Sequence, residues 1–180
     1  MLYKSLNLKA PKVTFEQAVT LGLAPDKGLY FPDTIIPLEN SFFETIATRS
    51  NEEIAYTVIK QFIGNEIEEN DLRKIISETL CFDFPLTKID DNIYSLELYH
   101  GPTMAFKDVG ARFMARGLSY FNKNKPNQKN TILVATSGDT GGSVANGFLN
   151  VQGVDVVILY PSGKVSDIQE RQLTTLGQNI

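Results

Sequence analysis

The chain has 180 residues, 42% of them hydrophobic, and a formal net charge of -4. Its length and composition suffice for an ordinary core divided between one or two small domains, and mild acidity without a basic stripe argues against nucleic-acid binding. No apolar run reaches transmembrane length, and the start Met1-Leu-Tyr-Lys4 lacks the basic head and apolar middle of a secretory signal.

The first part of the chain reads as helices with short connections. Thr14-x-x-Gln17 and Ser41-x-x-Glu44 are capping-box patterns and predict two helix starts. Between them Gly28–Pro32 predicts a short extended segment, and Pro37 marks a loop. Ile54, Val58, Ile59, Phe62 and Ile63 form an apolar helical stripe closed by Gly64. Leu72, Ile75, Ile76 and Leu80 form another over Asp71–Leu80, and both stripes are read as core. Cys81, the single cysteine, rules out an intrachain disulfide framework and fits a reducing cytoplasm. The only histidine lies outside its motif, so this thiol is expected as a buried small hydrophobe rather than a nucleophile. Asp90-Asp91-Asn92 predicts a turn, and Ile93–Leu98 alternates like a strand. A domain boundary is placed here, separating a helical domain over 1–92 from a βαβ domain over 93–180.

The stretch from His100 to Gly110 carries the first chemical signal. Gly101 and Pro102 predict a turn; beyond Asp108, the residues Val109, Phe113, Met114 and Leu118 recur at helical spacing. Lys107 therefore falls at a helix start, where the unpaired first-turn amides disfavour an ammonium. Burial between Ala105 and Phe106 would push the same way, towards a neutral amine able to form a Schiff base with a carbonyl cofactor. The alternative is a solvated lysine whose stem snorkels. His100 either braces the turn or titrates near neutrality and meets a phosphate. The polar run Asn122–Asn130, with a proline inside it, predicts a solvated loop.

Next, Thr131-Ile-Leu-Val134 has the composition of a buried strand, and a glycine-rich loop, Ala135–Ser143, follows it. A helix with Val144, Ala145 and Phe148 apolar and a strand over Val154–Tyr160 complete a βαβ unit, which presents the loop at the carboxyl edge of the sheet. Gly138, Gly141 and Gly142 fall at the wrong intervals for a dinucleotide fingerprint, and the lysine of a P-loop is absent. Asp139 also counts against a phosphate there. Backbone amides and the hydroxyls of Ser137 and Thr140 suit an amino-acid carboxylate, with Asp139 turned elsewhere. A tight turn capped by Asp139 or Thr140 is the alternative. Finally, Ser166-x-x-Gln169 predicts a helix through Leu176 that Gly177 stops, and Asn179-Ile180 reads as the start of another strand.

HGPTMAFKD (100–108), TSGDTGGS (136–143) and YPSGKVSDIQERQLTTLGQNI (160–180) together resemble the threonine synthases, pyridoxal-phosphate enzymes of the tryptophan-synthase-β fold type, or fold type II. Thr14–Val19 and Gly22–Pro32 resemble that family's opening. The lysine motif is the most specific part, whereas the Ser-Gly-Asp-Thr-Gly loop is shared in outline with dehydratases and sulfhydrylases. The resemblance implies an α/β fold in which a helical N-terminal region precedes part of a parallel-sheet domain. It implies pyridoxal 5'-phosphate as cofactor, Lys107 as its Schiff-base lysine and proton carrier, and Asp139 beside the cofactor ring. Ser137, Gly138 and Thr140 would surround the substrate carboxylate. No metal is expected.

The implied reaction takes O-phosphohomoserine and water to L-threonine and phosphate by γ-elimination and β-addition. Members of that family run far beyond 180 residues and hold the cofactor phosphate in a later, larger domain. This chain is therefore expected to be an inactive N-terminal portion, with the phosphate loop and the ring-nitrogen partner beyond it. Arg112 and Lys164 are cationic and near the motifs, without an assigned role. Asp167 and Gln178 stand where the family commonly has proline and glycine. A serine or threonine dehydratase and a non-catalytic metabolite-binding module are the rival readings.

Overall fold

The computed structural model describes residues 1–123, 125 and 129–180. The centre of the polar run expected as a solvated loop, residues 124 and 126–128, lies outside the described residues. Two compact units emerge, Met1–Ser77 and Glu78–Ile180. Among the described residues no helix is long and apolar enough to cross a membrane.

In the first unit, β1 (Tyr3–Ser5) pairs antiparallel with β2 (Tyr30–Pro32). β2 falls within the extended segment anticipated at Gly28–Pro32, while β1 is too short to show alternation in sequence. A buried polar knot holds the chain beside them. The fully buried Ser5 hydroxyl donates to Asp26 Oδ1 at 2.6 Å, and the amides of Gly28 and Lys9 donate to the same carboxylate at 3.0 and 2.9 Å. These bonds, the Ser5 bond first, hold the Asp26 carboxyl below its ordinary range. The Tyr3 hydroxyl donates to Phe62 O at 2.9 Å, and burial, with Glu66 adding to it, pushes that phenol up to about 12.

Local capping sets the helix starts. α1 (Phe15–Leu21) has the expected capping box of Thr14 and Gln17. α2 (Asn40–Thr45) differs from expectation: it starts before Ser41 and has no side-chain cap, so Ser41 lies inside the helix. The working box is instead Ser50 with Glu53, at the head of α3 (Asn51–Ile63). Gly64 ends α3 at φ 67°, its N–H donating to Lys60 O, as the apolar stripe predicted. Ile63 is buried, but Val58 in the same stripe is exposed. α4 (Glu69–Thr79) buries Leu72, Ile75 and Ile76. Cys81, just past its end, is exposed, contrary to the expectation from composition.

The second unit opens with an antiparallel hairpin of β3 (Leu86–Asp90) and β4 (Ile93–Leu96), turned through Asn92 at φ 66° and exposed along its length. After α5 (Lys107–Asn122) comes the βαβ unit: β5 (Asn130–Ala135), α6 (Asp139–Phe148) and β6 (Val154–Leu159). The strands pair in parallel from Asn130↔Val154 to Ala135↔Leu159. α5 and α6 approach closely through small residues, because a Cβ on Gly147 would stand 3.1–3.2 Å from Ala111. Ala115, Leu118, Ala145 and Phe148 are buried. The other sheet face departs from the buried-strand expectation: Leu133 is 66% exposed, and Val157 and Leu159 beside it are also exposed.

α7 (Asp167–Thr174) is capped by Ser166 as predicted and ends two residues before Leu176. Gly177 and Gln178 both adopt positive φ, 64° and 60°. The expected strand start at Asn179 is absent. That side chain acts as a latch, its Nδ2 donating to Phe148 O and Val154 O at 2.9 Å while its Oδ1 accepts from Asn150 N at 2.7 Å.

Candidate active site

Lys107 is the first residue of α5, as its sequence setting predicted, and it is half-buried. The enclosure expected between Ala105 and Phe106 does not occur: Ala105 is buried but Phe106 is 60% exposed. Lys107 Nζ stands 4.6 Å from the Phe106 ring centroid. The residue that organises the preceding loop is Asp108, which is 1% exposed. Its Oδ2 accepts from Thr103 N at 2.9 Å and its Oδ1 accepts from the Thr103 hydroxyl. A Cβ on Gly101 would overlap Asp108 Oδ2, so this fold-back requires glycine there.

The second loop is held differently. Thr136 Oγ1 accepts from the amides of Gly138 and Gly141 at 3.1 and 3.0 Å, so Thr136, rather than Asp139 or Thr140, fixes the turn into α6. Gly141 must lack a side chain, because a Cβ would overlap Thr136 Cγ2 and crowd Leu173. Asp139 does turn aside: its Oδ1 accepts from Gln169 Nε2 at 3.0 Å, and Ser166 Oγ donates to Gln169 Oε1 at 3.1 Å. Ser137 and Thr140 spend neither hydroxyl on a bond among the described residues. The first-turn amides of Asp139 and Thr140 have no partner within the helix.

Lys107, at the end of the first loop, and the second loop line one cleft of about 380 Å3. Lys107 lines it together with the strand end and loop 135–140, so the sequence candidates Lys107, Ser137, Gly138, Asp139 and Thr140 come together. Gln169 also lines it and was read in the sequence only as part of a capping pattern. Among the described residues, Arg112 and Lys164 do not line it. Arg112 donates through Nη2 to Glu78 O at 2.7 Å, and the same nitrogen stands 3.1 Å from Cys81 Sγ. Lys164 is exposed. His100 Nε2 is 2.7 Å from Glu97 Oε2, and its ring stacks on Tyr99 at 4.8 Å, which fits the bracing role. Through hydrogen bonds from His100 first and Thr87 second, Glu97 is held below its ordinary range.

The lining can be tested chemically. An amine opens onto the cleft, and free amides and hydroxyls opposite it suit an aldehyde at one end and a carboxylate at the other. Among the described lining residues Lys107 is the one cation and Asp139 the one carboxylate, so the cleft does not fit a phosphate dianion.

A family model described as "Threonine synthase N terminus" matches residues 2–80. The threonine synthase of Haemophilus influenzae is 44% identical over 97% of this chain and 40% of its own length. That of Escherichia coli is 41% identical, over 98% and 41%. The crystal structure of the Escherichia coli threonine synthase superposes on all of this chain with a TM-score of 0.91 and 39% identity, over 41% of its own length. The structure of the PLP-bound threonine synthase from Brucella melitensis superposes on 96% of the chain with a TM-score of 0.88, 37% identity and 38% of its own length. The chain thus spans about 40% of the length of the curated relatives it matches.

Proposed function

The chain belongs to the threonine synthase family, and on that premise we propose that Lys107 is the cofactor-bearing lysine of an enzyme that converts O-phosphohomoserine and water to L-threonine and phosphate. The observation that carries this reading is the cleft: Lys107 lines it together with a helix-start loop in which the first-turn amides of Asp139 and Thr140 have no partner within the helix and the hydroxyls of Ser137 and Thr140 make no bond among the described residues. Pyridoxal 5'-phosphate would supply an electron sink for the negative charge that develops on the substrate. Lys107 Nζ would hold the cofactor covalently. Once displaced by the substrate amine, the same nitrogen would carry protons at substrate Cα and Cβ. Loss of the γ-phosphate followed by addition of water at Cβ would give threonine.

The substrate carboxylate is assigned to the first turn of α6, near Gly138 and the hydroxyls of Ser137 and Thr140. Asp139 would repel it if the two charges faced one another. The bond from Gln169 holds one oxygen of Asp139 aside and leaves the other for the cofactor ring. The cofactor and substrate phosphates are assigned to a part of the protein outside these 180 residues, because the described lining does not fit them. A dianion without several charge-assisted bonds, each worth about 1.5–3 kcal/mol, binds weakly, so the 180-residue chain alone is expected to be inactive. The substrate is a small metabolite, the setting cytoplasmic, and neither nucleic acid nor membrane takes part.

The test is a phosphate-release assay with O-phosphohomoserine on a protein of the relatives' length. Phosphate and threonine should appear in equal amounts. Turnover of serine or threonine instead would assign the site to a dehydratase, and turnover by the 180 residues alone would contradict the placement of the phosphate groups.

A further inference from the structure

A chain of three buried or half-buried polar groups runs from the residue after Lys107 to the helix behind the opposing loop. Asp108 and Ser143 are each 1% exposed. Asp108 makes no ion pair among the described residues, and a buried carboxylate without a cation is costly unless donors surround it. Among the described residues its donors both come from Thr103, whose N–H and hydroxyl serve its two oxygens. The Thr103 hydroxyl has one hydrogen, and Asp108 takes it. At the 3.0 Å contact between Thr103 Oγ1 and Ser143 Oγ, Ser143 must therefore be the donor. The sequence Ser143 to Thr103 to Asp108 thus has a fixed direction. It ties α6, whose first turn faces the cleft, to the residue covalently joined to Lys107.

We propose that Thr103 is a positioning residue that fixes Lys107 against the loop ahead of α6 through this directed relay; the proposal rests on Lys107 being the cofactor-bearing lysine. Small misplacements of reacting groups are expensive in rate, and a relay of satisfied buried bonds admits one arrangement. Thr103→Val keeps the side-chain shape but removes the hydroxyl, leaving Asp108 Oδ1 short of a donor and Ser143 without its acceptor. Thr103→Ser keeps the hydroxyl.

The experiment treats the intact protein and both variants with pyridoxal 5'-phosphate and borohydride below their melting temperatures. The label at Lys107 is then measured against that at the exposed Lys164 in the same sample. With Thr103→Val the ratio should fall about tenfold or more, as loss of a hydrogen bond to a charged group predicts. With Thr103→Ser it should stay within about twofold of the unaltered protein. A residue with a merely structural role would lower the melting temperature of the valine variant and leave the ratio of the folded protein alone; that outcome overturns the proposal. If Thr103→Val does not fold, Ser143→Ala carries the test, with a fall in the ratio expected and an unchanged ratio overturning it. An unaltered protein that shows no preference for Lys107 would overturn the functional reading itself, and this inference with it.

Discussion

The two loops that set Lys107 and residues 135–140 at one cleft are held by opposite means. In residues 101–108 the polar groups turn inward: a buried carboxylate collects the amide and hydroxyl of Thr103, and Gly101 makes room for it. In residues 135–142 a single threonine, Thr136, closes the turn, while the hydroxyls of Ser137 and Thr140 make no bond among the described residues. The difference separates support from reception. On the proposed reading, the loop that presents the amine is braced from within, whereas the loop that would receive an anion leaves the hydroxyls of Ser137 and Thr140 without a bond among the described residues.

The largest expected effect comes from removing the amine itself. In the protein of the relatives' length, Lys107→Ala should lower turnover of O-phosphohomoserine by about a thousandfold or more, since covalent attachment and proton transfer are lost together. A variant with near-normal turnover would place the chemistry elsewhere.

Paired glycine substitutions probe the comparison directly. An added Cβ at Gly101 meets the buried Asp108 carboxylate, whereas one at Gly138 meets the far end of the longer, half-buried Gln169 side chain, whose bonds to Asp139 and Ser166 are exposed. Gly101→Ala should therefore cost about 1–3 kcal/mol and Gly138→Ala clearly less, as read by denaturant titration. Equal costs would mean that the two loops are equally braced.

Gln169→Glu should act on the receiving loop alone. Facing Asp139, a second carboxylate repels it at neutral pH and would disturb the proposed anion site, so in the protein of the relatives' length KM for O-phosphohomoserine should rise about fivefold with little change in kcat. Lowering the pH into the ordinary glutamate range protonates the new side chain and restores a donor to Asp139, and KM should recover. A pH-independent defect would assign Gln169 a different role.

The smallest effect lies at the start of the braced stretch. Glu97 titrates below its ordinary range, chiefly because of His100. A carboxyl with a depressed folded-state pKa contributes stability above its unfolded pKa, and that contribution is lost as pH falls through the folded value. His100→Ala should return the Glu97 titration towards the usual glutamate range, followed by carboxyl NMR, and its stability deficit should vanish in acid. An unmoved Glu97 titration would remove His100 from the bracing.

Much of this arrangement was legible in the sequence because its signals are local. Gly101-Pro102 followed by apolar residues at helical spacing places Lys107 at a helix start, and a strand followed by clustered glycines places residues 136–142 at a sheet edge. Thr103, Asp108 and Ser143 were not legible as a set. Asp108 beside a helix start reads as an ordinary first-turn acid, and Ser143 lies forty positions from Thr103 with no pattern joining them. Ser41-x-x-Glu44 and Ser50-x-x-Glu53 fit the same capping template, and only the second heads a helix in that register. Leu133 reads as core from its neighbours, yet the outward face of β5 has no cover among the described residues. Cys81 misled in the same way, because composition carries no information about which side of a helix end faces solvent.

The central claim concerns one nitrogen and can be read in one measurement. The protein of the relatives' length, loaded with pyridoxal 5'-phosphate, is reduced with borohydride and mapped by peptide mass. A pyridoxyl mass on the peptide containing Lys107, absent in Lys107→Ala, is the predicted result. A label carried by another lysine, with Lys107 unmodified, would contradict the account.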